Sequence, residues 1–182
     1  MNAFSFPTAE NAQLESRPLL EGPQGALGFL PNLLAGLSNA PPVLAAYADL
    51  GRHFAKVGLT GIEMQAVLVV ASVENACAYC VAAHSTFATK MKIDPAALDA
   101  LRRGGDPADA KLAALATFVR QMIREKGRVS DAQLNAFLAA GYTQEQALGV
   151  LVGIAMKTIA NLGNHLMRTP LDAQFAAQRW EG

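Results

Sequence analysis

The sequence predicts an all-α fold, built as a single domain of about seven helices. Helix-start and helix-stop residues recur along the 182-residue chain, and no segment shows the apolar/polar alternation of a half-buried strand. No long repeat or linker divides the chain, so one helical domain accounts for residues 26–182. Residues 1–25 are polar and contain proline, which predicts an irregular N-terminal arm.

Proline and glycine define the first helices. A short helix can begin at Pro31, and the next has Pro42 in its first turn, where a missing N–H costs nothing. Gly58 is suited to end that helix. We therefore expect two helices before residue 59.

The third helix is predicted to be the longest of the N-terminal half. Thr60 and Glu63 have the spacing of a capping box, and Glu63 is most simply interpreted as part of that cap. With no proline or glycine after Gly61, the helix is expected to run unbroken to about Thr89. This places the segment ENACAYCVAAHS well inside a helix.

The remaining helices follow the same rules. An N-cap aspartate precedes proline at Asp94 and again at Asp106. Ser130 can cap the next helix, and Thr143 begins a final long helix that runs to about Met167.

The segment ENACAYCVAAHS contains both cysteines of the chain and one of its three histidines. Two randomly placed cysteines would lie three residues apart in about 1% of cases, so the spacing indicates a motif. On a continuous helix, Glu74, Cys77, Cys80 and His84 fall within an arc of about 120°. Helical spacing also places the two cysteine Cα atoms about 5 Å apart, within disulfide range. A reversible dithiol is the simplest interpretation.

If the motif lies inside a helix, a nearby side chain must supply or remove the thiol proton. Roughly four turns would precede Cys77, too many for the helix dipole to favour a thiolate there. His84 lies four residues after Cys80, and Glu74 lies three residues before Cys77. We expect these two side chains to transfer the proton.

Composition excludes several classes of partner. The chain carries 15 basic and 15 acidic side chains, so we expect neither a nucleic acid nor a membrane surface as partner. Its apolar runs are too short to span a bilayer. Hydrophobic residues make up 52% of the chain, which favours a homo-oligomer. The N-terminus lacks the basic start and apolar core of a signal peptide, so we expect a cytoplasmic protein.

Other cysteine chemistries are less consistent with the sequence. Haem attachment requires a histidine directly after the second cysteine, and Val81 is there instead. A structural pair of buried thiols remains an alternative, as does zinc, although ligands from one helical face surround a tetrahedral ion poorly. The possible zinc ligands are Cys77, Cys80 and His84, with a fourth from Glu74, His53 or His165. We predict no cofactor and no metal.

The pattern Glu-x-x-Cys-x-Tyr-Cys-x-x-x-His resembles the signature of the carboxymuconolactone decarboxylase superfamily, in its alkylhydroperoxidase AhpD-like branch. The segments FLPNLLAGLSNAPPVLAAY and KTIANLGNHLMRTPLDAQF resemble one AhpD-like subgroup, so the similarity spans Gly28 to Phe175. The resemblance implies an AhpD-like helical bundle that assembles into trimers or hexamers. Decarboxylation of a lactone does not need a CxxC pair, so we expect redox chemistry.

The resemblance also implies roles for the motif residues. Cys80 would attack a peroxide and become a sulfenic acid, and Cys77 would condense with it to a disulfide. His84 would help to carry the proton. An external dithiol, such as a lipoyl group or a thioredoxin-type protein, would then reduce the pair. A non-enzymatic thiol redox sensor or disulfide-exchange module remains the alternative.

One position departs from the resemblance. AhpD enzymes have a relay glutamate twelve residues before the first cysteine, and Gln65 stands there in this chain. On a straight helix Gln65 would lie about 18 Å from Cys77, so only a kink or a chain reversal could bring it to the site. Glu74 is therefore the candidate for the carboxylate role. Asn161 and His165 share a helical face and are further candidates to line the site.

Overall fold

Helix caps divide this chain into more helices than the sequence analysis predicts. The computed structural model describes residues 3–182, and within that range it contains nine α-helices, a terminal 3-10 helix and no strand. The all-α prediction is confirmed. The helices are α1 (Arg17–Leu27), α2 (Asn32–Leu37), α3 (Pro41–Phe54), α4 (Gly61–Glu74), α5 (Ala78–Lys90), α6 (Pro95–Arg102), α7 (Ala110–Arg124), α8 (Asp131–Ala139) and α9 (Gln144–Met167), followed by the 3-10 helix Ala173–Gln178.

The predicted capping box of α4 is present. The backbone N–H of Glu63 donates to Thr60 Oγ1 at 3.2 Å, and the Glu63 carboxylate accepts from the backbone N–H of Thr60 at 2.8 Å. Thr143 and Gln146 form the same arrangement at the start of α9. These caps fix where α4 and α9 begin.

The prediction that the CxxC pair lies within one long helix is wrong. Helix α4 ends at Glu74, and Ala76 adopts a left-handed conformation with φ of 50°. The backbone N–H of Ala76 donates to the carbonyl of Val73, and that of Cys77 donates to the carbonyl of Ser72. This pair of hydrogen bonds is a Schellman motif, which usually has glycine where Ala76 stands. Because neither glycine nor proline marks the turn, the sequence gives no stop signal there.

The N-terminal arm also differs from its prediction. Helix α1 begins at Arg17, and Leu20 within it is fully buried. The prediction of irregular structure is therefore wrong for residues 17–25, since a proline in the first helical turn is compatible with a helix. The first two residues of the predicted arm lie outside the described part of the chain.

Helix α9 is the central helix of the site. By length and composition it could cross a membrane, with a mean hydropathy of 1.3, but core helices meet the same criterion. Its inner face packs against α3 and α4 and carries buried Lys157, Asn161 and Asn164. A Cβ atom on Gly153 would lie 2.8 Å from the ring of Phe54, so glycine permits this close approach. This close packing of α9 against α3 fixes the position along α9 at which Lys157 faces α5.

Candidate active site

The chain reversal after Glu74 places both cysteines at the start of helix α5. Cys77 is the N-cap residue, and Cys80 lies in the first turn. Both are buried free thiols, and their sulfur atoms are hydrogen-bonded to each other. The N-terminus of a helix stabilises negative charge, so this position favours a thiolate. The sequence analysis places the pair too far along a helix for this effect.

Lys157 lies next to the cysteine pair, and the sequence analysis missed it. Its ammonium group lies 3.4 Å from Cys80 Sγ, and the whole side chain is buried. Lys157 is the one Lys, Arg, Asp or Glu residue between Glu145 and Arg168. A single lysine inside such an apolar helix is a signal that could have identified it, because buried lysines are rare unless they are paired.

The surroundings of Cys80 favour its ionised form. Burial alone would raise the pKa of Cys80, but the hydrogen bond from Cys77 and the positive charge of Lys157 lower that pKa to about 6. The Cys77 thiol donates to Cys80, and this hydrogen bond together with burial raises the pKa of Cys77. The site therefore contains one thiolate and one thiol at neutral pH.

Asn164 is a second residue that the sequence analysis missed. Its side-chain amide donates to Cys80 Sγ at 3.2 Å and approaches Cys77 Sγ at 3.6 Å. The amide group thus adds a donor on the α9 side of the pair. Donors directed at a sulfur atom stabilise the thiolate more than the thiol.

His84 links Lys157 to Gln65. Its Nε2 atom lies 2.6 Å from Lys157 Nζ, and its Nδ1 atom lies 3.0 Å from Gln65 Oε1. Since an ammonium group can only donate, this network assigns a neutral imidazole that donates from Nδ1 and accepts at Nε2. Burial and the neighbouring Lys157 both lower the pKa of His84, which is consistent with the neutral form.

Gln65 reaches the site through the chain reversal that the straight-helix estimate does not include. Helix α5 runs back along α4, and these two helices share an extensive contact. The Gln65 amide oxygen therefore lies beside His84 rather than far from the motif. The side chain cannot carry a proton, but it fixes the tautomer and orientation of the imidazole ring.

The structure does not bring Glu74 to the cysteines. Both of its carboxylate oxygens accept hydrogen bonds from Arg124 on α7, at 2.7 and 2.8 Å. Because α4 ends at Glu74, the helical face expected to carry it together with Cys77, Cys80 and His84 does not exist. The glutamate holds the end of α4 against α7.

Asn161 and His165 differ in burial. Asn161 is fully buried; its amide donates to Ser72 Oγ at 3.4 Å, and its oxygen accepts from Asn75 at 3.0 Å. It also contributes to the lowered pKa of Cys80. His165 is exposed, and its Nε2 atom lies 3.2 Å from the carbonyl oxygen of Ala76. Both side chains therefore support the turn that precedes Cys77.

A cavity of about 130 Å³ opens beside Cys80. Cys80, His84 and Lys157 form its polar end. Cys77 is not part of its lining. The other lining residues are mostly apolar or aromatic: Leu27, Pro31, Leu33, Leu34, Tyr47, Tyr79, Ala83, Phe87 and Phe175. The cavity suits a small organic molecule, since sites for drug-sized ligands are larger.

Tyr79 attaches the C-terminal segment to this cavity. Its hydroxyl donates to Asp172 Oδ2 at 2.5 Å and accepts from the backbone N–H of Leu33 at 3.2 Å. The Phe175 ring packs edge-on against Tyr79 and Phe87. The tyrosine thus has a packing role, and it holds one wall of the cavity in place.

The arrangement does not fit a zinc ion. Within residues 3–182, no group of three or more His, Cys, Asp and Glu side chains is arranged to hold a metal. The Lys157 ammonium group contacts both Cys80 and His84, so a cation between these two side chains would meet a positive charge. The donor set matches thiol chemistry better than metal binding.

Comparison with known proteins gives structural neighbours. No family model matches the chain, and no curated protein matches it either. One neighbour is the solved structure of an uncharacterized peroxidase-related protein from Ralstonia eutropha JMP134, described as an alkylhydroperoxidase AhpD core. Its TM-score is 0.81 and its sequence identity 23%, and the match covers 94% of this chain and 93% of that chain. An uncharacterized peroxidase-related protein from Silicibacter sp. TM1040 has a TM-score of 0.82 and 21% identity, with 97% and 95% covered.

A neighbour named as a debrominase, and not as peroxidase-related, has the same fold. The debrominase Bmp8, as a cysteine-to-alanine variant in complex with 2,3,4-tribromopyrrole, has a TM-score of 0.78 and 17% identity, with 98% of this chain and 95% of that chain covered. A shared fold does not select one reaction. What these neighbours establish is architecture: this chain has the AhpD-like helical fold that its cysteine motif predicts.

Proposed function

We propose that this protein is a thiol-dependent peroxidase that reduces peroxides through a dithiol–disulfide cycle of Cys77 and Cys80. One observation carries the proposal. The Cys80 sulfur lies at the polar end of an apolar cavity, hydrogen-bonded by Cys77 and 3.4 Å from the Lys157 ammonium group. A nucleophile and an acid thus line one small cavity, and the resolving thiol is hydrogen-bonded to the nucleophile.

In the first step, the Cys80 thiolate attacks the terminal oxygen of a hydroperoxide. A sulfur–oxygen bond forms, the oxygen–oxygen bond breaks, and Cys80 becomes a sulfenic acid. The leaving alkoxide takes a proton from Lys157 and departs as an alcohol. A thiolate alone would have to expel a strongly basic alkoxide, so an adjacent acid lowers the barrier.

In the second step, Cys77 resolves the sulfenic acid. The Cys77 sulfur bonds to the Cys80 sulfur, and the hydroxyl group leaves with the Cys77 proton as water. Cysteines this close in the chain, with hydrogen-bonded sulfur atoms, can form the disulfide with little backbone movement.

His84 and Gln65 act as positioning residues for Lys157. The imidazole accepts from the ammonium group, and the glutamine amide fixes the ring. They replace the carboxylate relay expected at Glu74, whose oxygens are held by Arg124. This arrangement keeps one N–H of Lys157 directed away from the sulfur and leaves others for Cys80 and the cavity.

The partners of the cycle remain proposals. The apolar walls favour an organic hydroperoxide over hydrogen peroxide. An external dithiol, carried by a lipoyl group or a thioredoxin-type protein, would reset the pair. We place the protein in the cytoplasm, since a reducing compartment would keep both cysteines as free thiols.

We also propose that the protein forms a homo-oligomer. Exposed leucines follow one stripe of α9, with Leu148, Leu162 and Leu166 more than half exposed and Leu151 at 43%. With Ala155 and Thr158 between them, they repeat at intervals of three and four residues, the spacing with which two helices pack together. A second copy of this helix is the occupant whose side chains match that spacing.

A free-thiol titration tests the proposed activity. Reduced protein should lose two thiols per chain on addition of tert-butyl hydroperoxide, with matching peroxide loss, and a dithiol should restore both through repeated cycles. Thiols that stay intact would contradict the proposal. A single slow oxidation, without turnover, would favour the alternative of a redox sensor or disulfide-exchange module.

Single-cysteine variants assign the roles. Cys80→Ser should abolish peroxide consumption, whereas Cys77→Ser should leave one reactive thiol that accumulates as sulfenic acid. Sulfenic acid detected by mass spectrometry on Cys77 in the Cys80→Ser variant would reverse the assignment. Bromide release from 2,3,4-tribromopyrrole, faster than peroxide loss, would point to the activity of the debrominase neighbour instead.

A further inference from the structure

Lys157 has one anionic neighbour, and it is the redox-active sulfur. The side chain is fully buried, and its ammonium group contacts Cys80 Sγ and His84 Nε2. The titratable groups that face it are Cys77 at the N-cap of α5, Cys80 and His84 on α5, and Tyr47 on α3. Within residues 3–182 no carboxylate oxygen lies within 4.0 Å of its nitrogen.

The charge of Lys157 is therefore maintained by the Cys80 thiolate. Burial is the largest influence on this lysine and disfavours its charged form, but the Cys80 thiolate, with smaller contributions from Tyr47 and Cys77, raises its pKa. Disulfide formation converts the thiolate into a neutral sulfur atom. An unpaired buried ammonium group is costly, and a lysine in that situation loses its proton.

Resting on the proposed peroxidase function, we propose that Lys157 is a charge switch: it is an ammonium group when Cys77 and Cys80 are reduced, and a neutral amine when they form a disulfide. The neutral amine then accepts the proton of the incoming reductant's thiol. The same lysine thus acts as the acid of the oxidative half-reaction and as the base of the reductive one.

The oxidative half-reaction balances without solvent protons. In the reduced site, Cys77 carries its thiol proton, and Lys157 carries the proton that makes it an ammonium group. The hydroperoxide leaves as an alcohol and a water molecule, whose formation uses these two protons. Two electrons pass from the two sulfur atoms to the oxygen–oxygen bond, and the site is left with a disulfide and a neutral amine.

The reductive half-reaction returns both protons. A reductant thiol gives its proton to Lys157 as its sulfur bonds to Cys77, and Cys80 leaves as a thiolate beside the restored ammonium group. Cys80 is the better leaving group because its pKa is the lower of the two. The second reductant thiol then displaces Cys77, which takes that thiol's proton.

A proton count during a single turnover tests the switch. Reduced protein is mixed with one equivalent of tert-butyl hydroperoxide in weakly buffered solution near pH 8, with a pH-indicator dye, and the ultraviolet absorbance of the thiolate is followed in parallel. We expect loss of thiolate and of peroxide with no net proton exchange with the solvent. Uptake of one proton per chain would mean that Lys157 stays charged, and would overturn the switch.

The Lys157→Arg variant supplies the matched control. A guanidinium group keeps its charge in both redox states, so this variant should take up one proton per chain for each peroxide consumed. A count of zero in both proteins, with thiolate lost in both, would overturn the assignment to Lys157. Should the variant not fold, the count in the native protein still decides between zero and one. Absence of thiolate or of peroxide loss in the native protein would refute the peroxidase function itself.

Discussion

Replacing Lys157 by methionine should shift the ionisation of Cys80 from the thiolate toward the thiol at neutral pH. Methionine matches the length of the lysine stem and removes the charge next to the sulfur. Burial is the largest single influence on Cys80, and it acts to raise its pKa. Without the ammonium group we expect the pKa of Cys80 to rise from about 6 toward its ordinary value of 9.0, while the hydrogen bond from Cys77 continues to lower it.

The size of the effect follows from the two pKa values. A thiol with a pKa of about 6 is about nine-tenths ionised at pH 7, whereas one with a pKa of 9 is about 1% ionised. A full return to 9 would lower the rate of Cys80 alkylation at pH 7 about ninetyfold, which is the upper limit because the Cys77 hydrogen bond remains. We expect a fall of several-fold or more, and peroxide reduction should fall at least as much. In the native protein both rates should rise with pH up to about 6 and then level off, because the thiolate is the reactive form.

The assay is iodoacetamide labelling of Cys80 across a pH series, read by mass spectrometry. Lys56→Met is the matched control, since Lys56 is an exposed lysine with no role in the proposed site. This variant should leave the pH profile of Cys80 labelling unchanged. Thermal unfolding checks that Lys157→Met is folded. We expect its stability to be maintained because Cys80 can take up a proton, so that no unpaired charge stays buried. An inflection that stays near pH 6 in Lys157→Met would refute the electrostatic argument.

Other predictions concern residues around the pair. Glu74→Gln should change the rate of peroxide reduction by no more than about twofold. It should lower the free energy of unfolding by about 1 kcal/mol, because the ion pair with Arg124 is lost. A tenfold loss of rate with unchanged stability would restore the predicted proton-transfer role of Glu74. Gln65→Leu should slow peroxide reduction several-fold and change the pH profile, and Gln65→Glu should recover the rate; equal rates in all three proteins would exclude a positioning role. Leu162→Glu should shift sedimentation to smaller species, whereas Lys56→Glu should not; identical sedimentation of Leu162→Glu and the native protein would remove α9 as the interface.

Local signals in the sequence predicted most of the fold. The hydroxyl caps at Thr60, Ser130 and Thr143 mark helix starts through contacts within four residues, so they can be identified without tertiary information. Cys80 and His84, which the motif singles out, do lie together in the structure, since both contact Lys157. The break at Ala76 was missed because its turn is closed by backbone hydrogen bonds that an alanine side chain does not announce.

The site was predicted less completely because it forms between distant parts of the chain. Lys157 and Asn164 come from α9, more than seventy residues after Cys80, and helix spacing cannot relate them to it. Gln65 could reach His84 only through the chain reversal. Glu74 was assigned to the site because the prediction assumed a continuous helix, and the chain reversal removes that helix.

The left-handed conformation of Ala76 has a consequence for variation at this position. An L side chain at φ of 50° costs about 1–2 kcal/mol, and a β-branched side chain costs more. Glycine or asparagine could replace Ala76 without harm, whereas valine or isoleucine would oppose the turn. A homologue could therefore retain Cys77, Cys80 and Lys157 yet have lost the reversal that places the sulfur atoms at a helix start. In comparing such chains, the small residue before the first cysteine is as informative about thiol reactivity as the cysteines themselves.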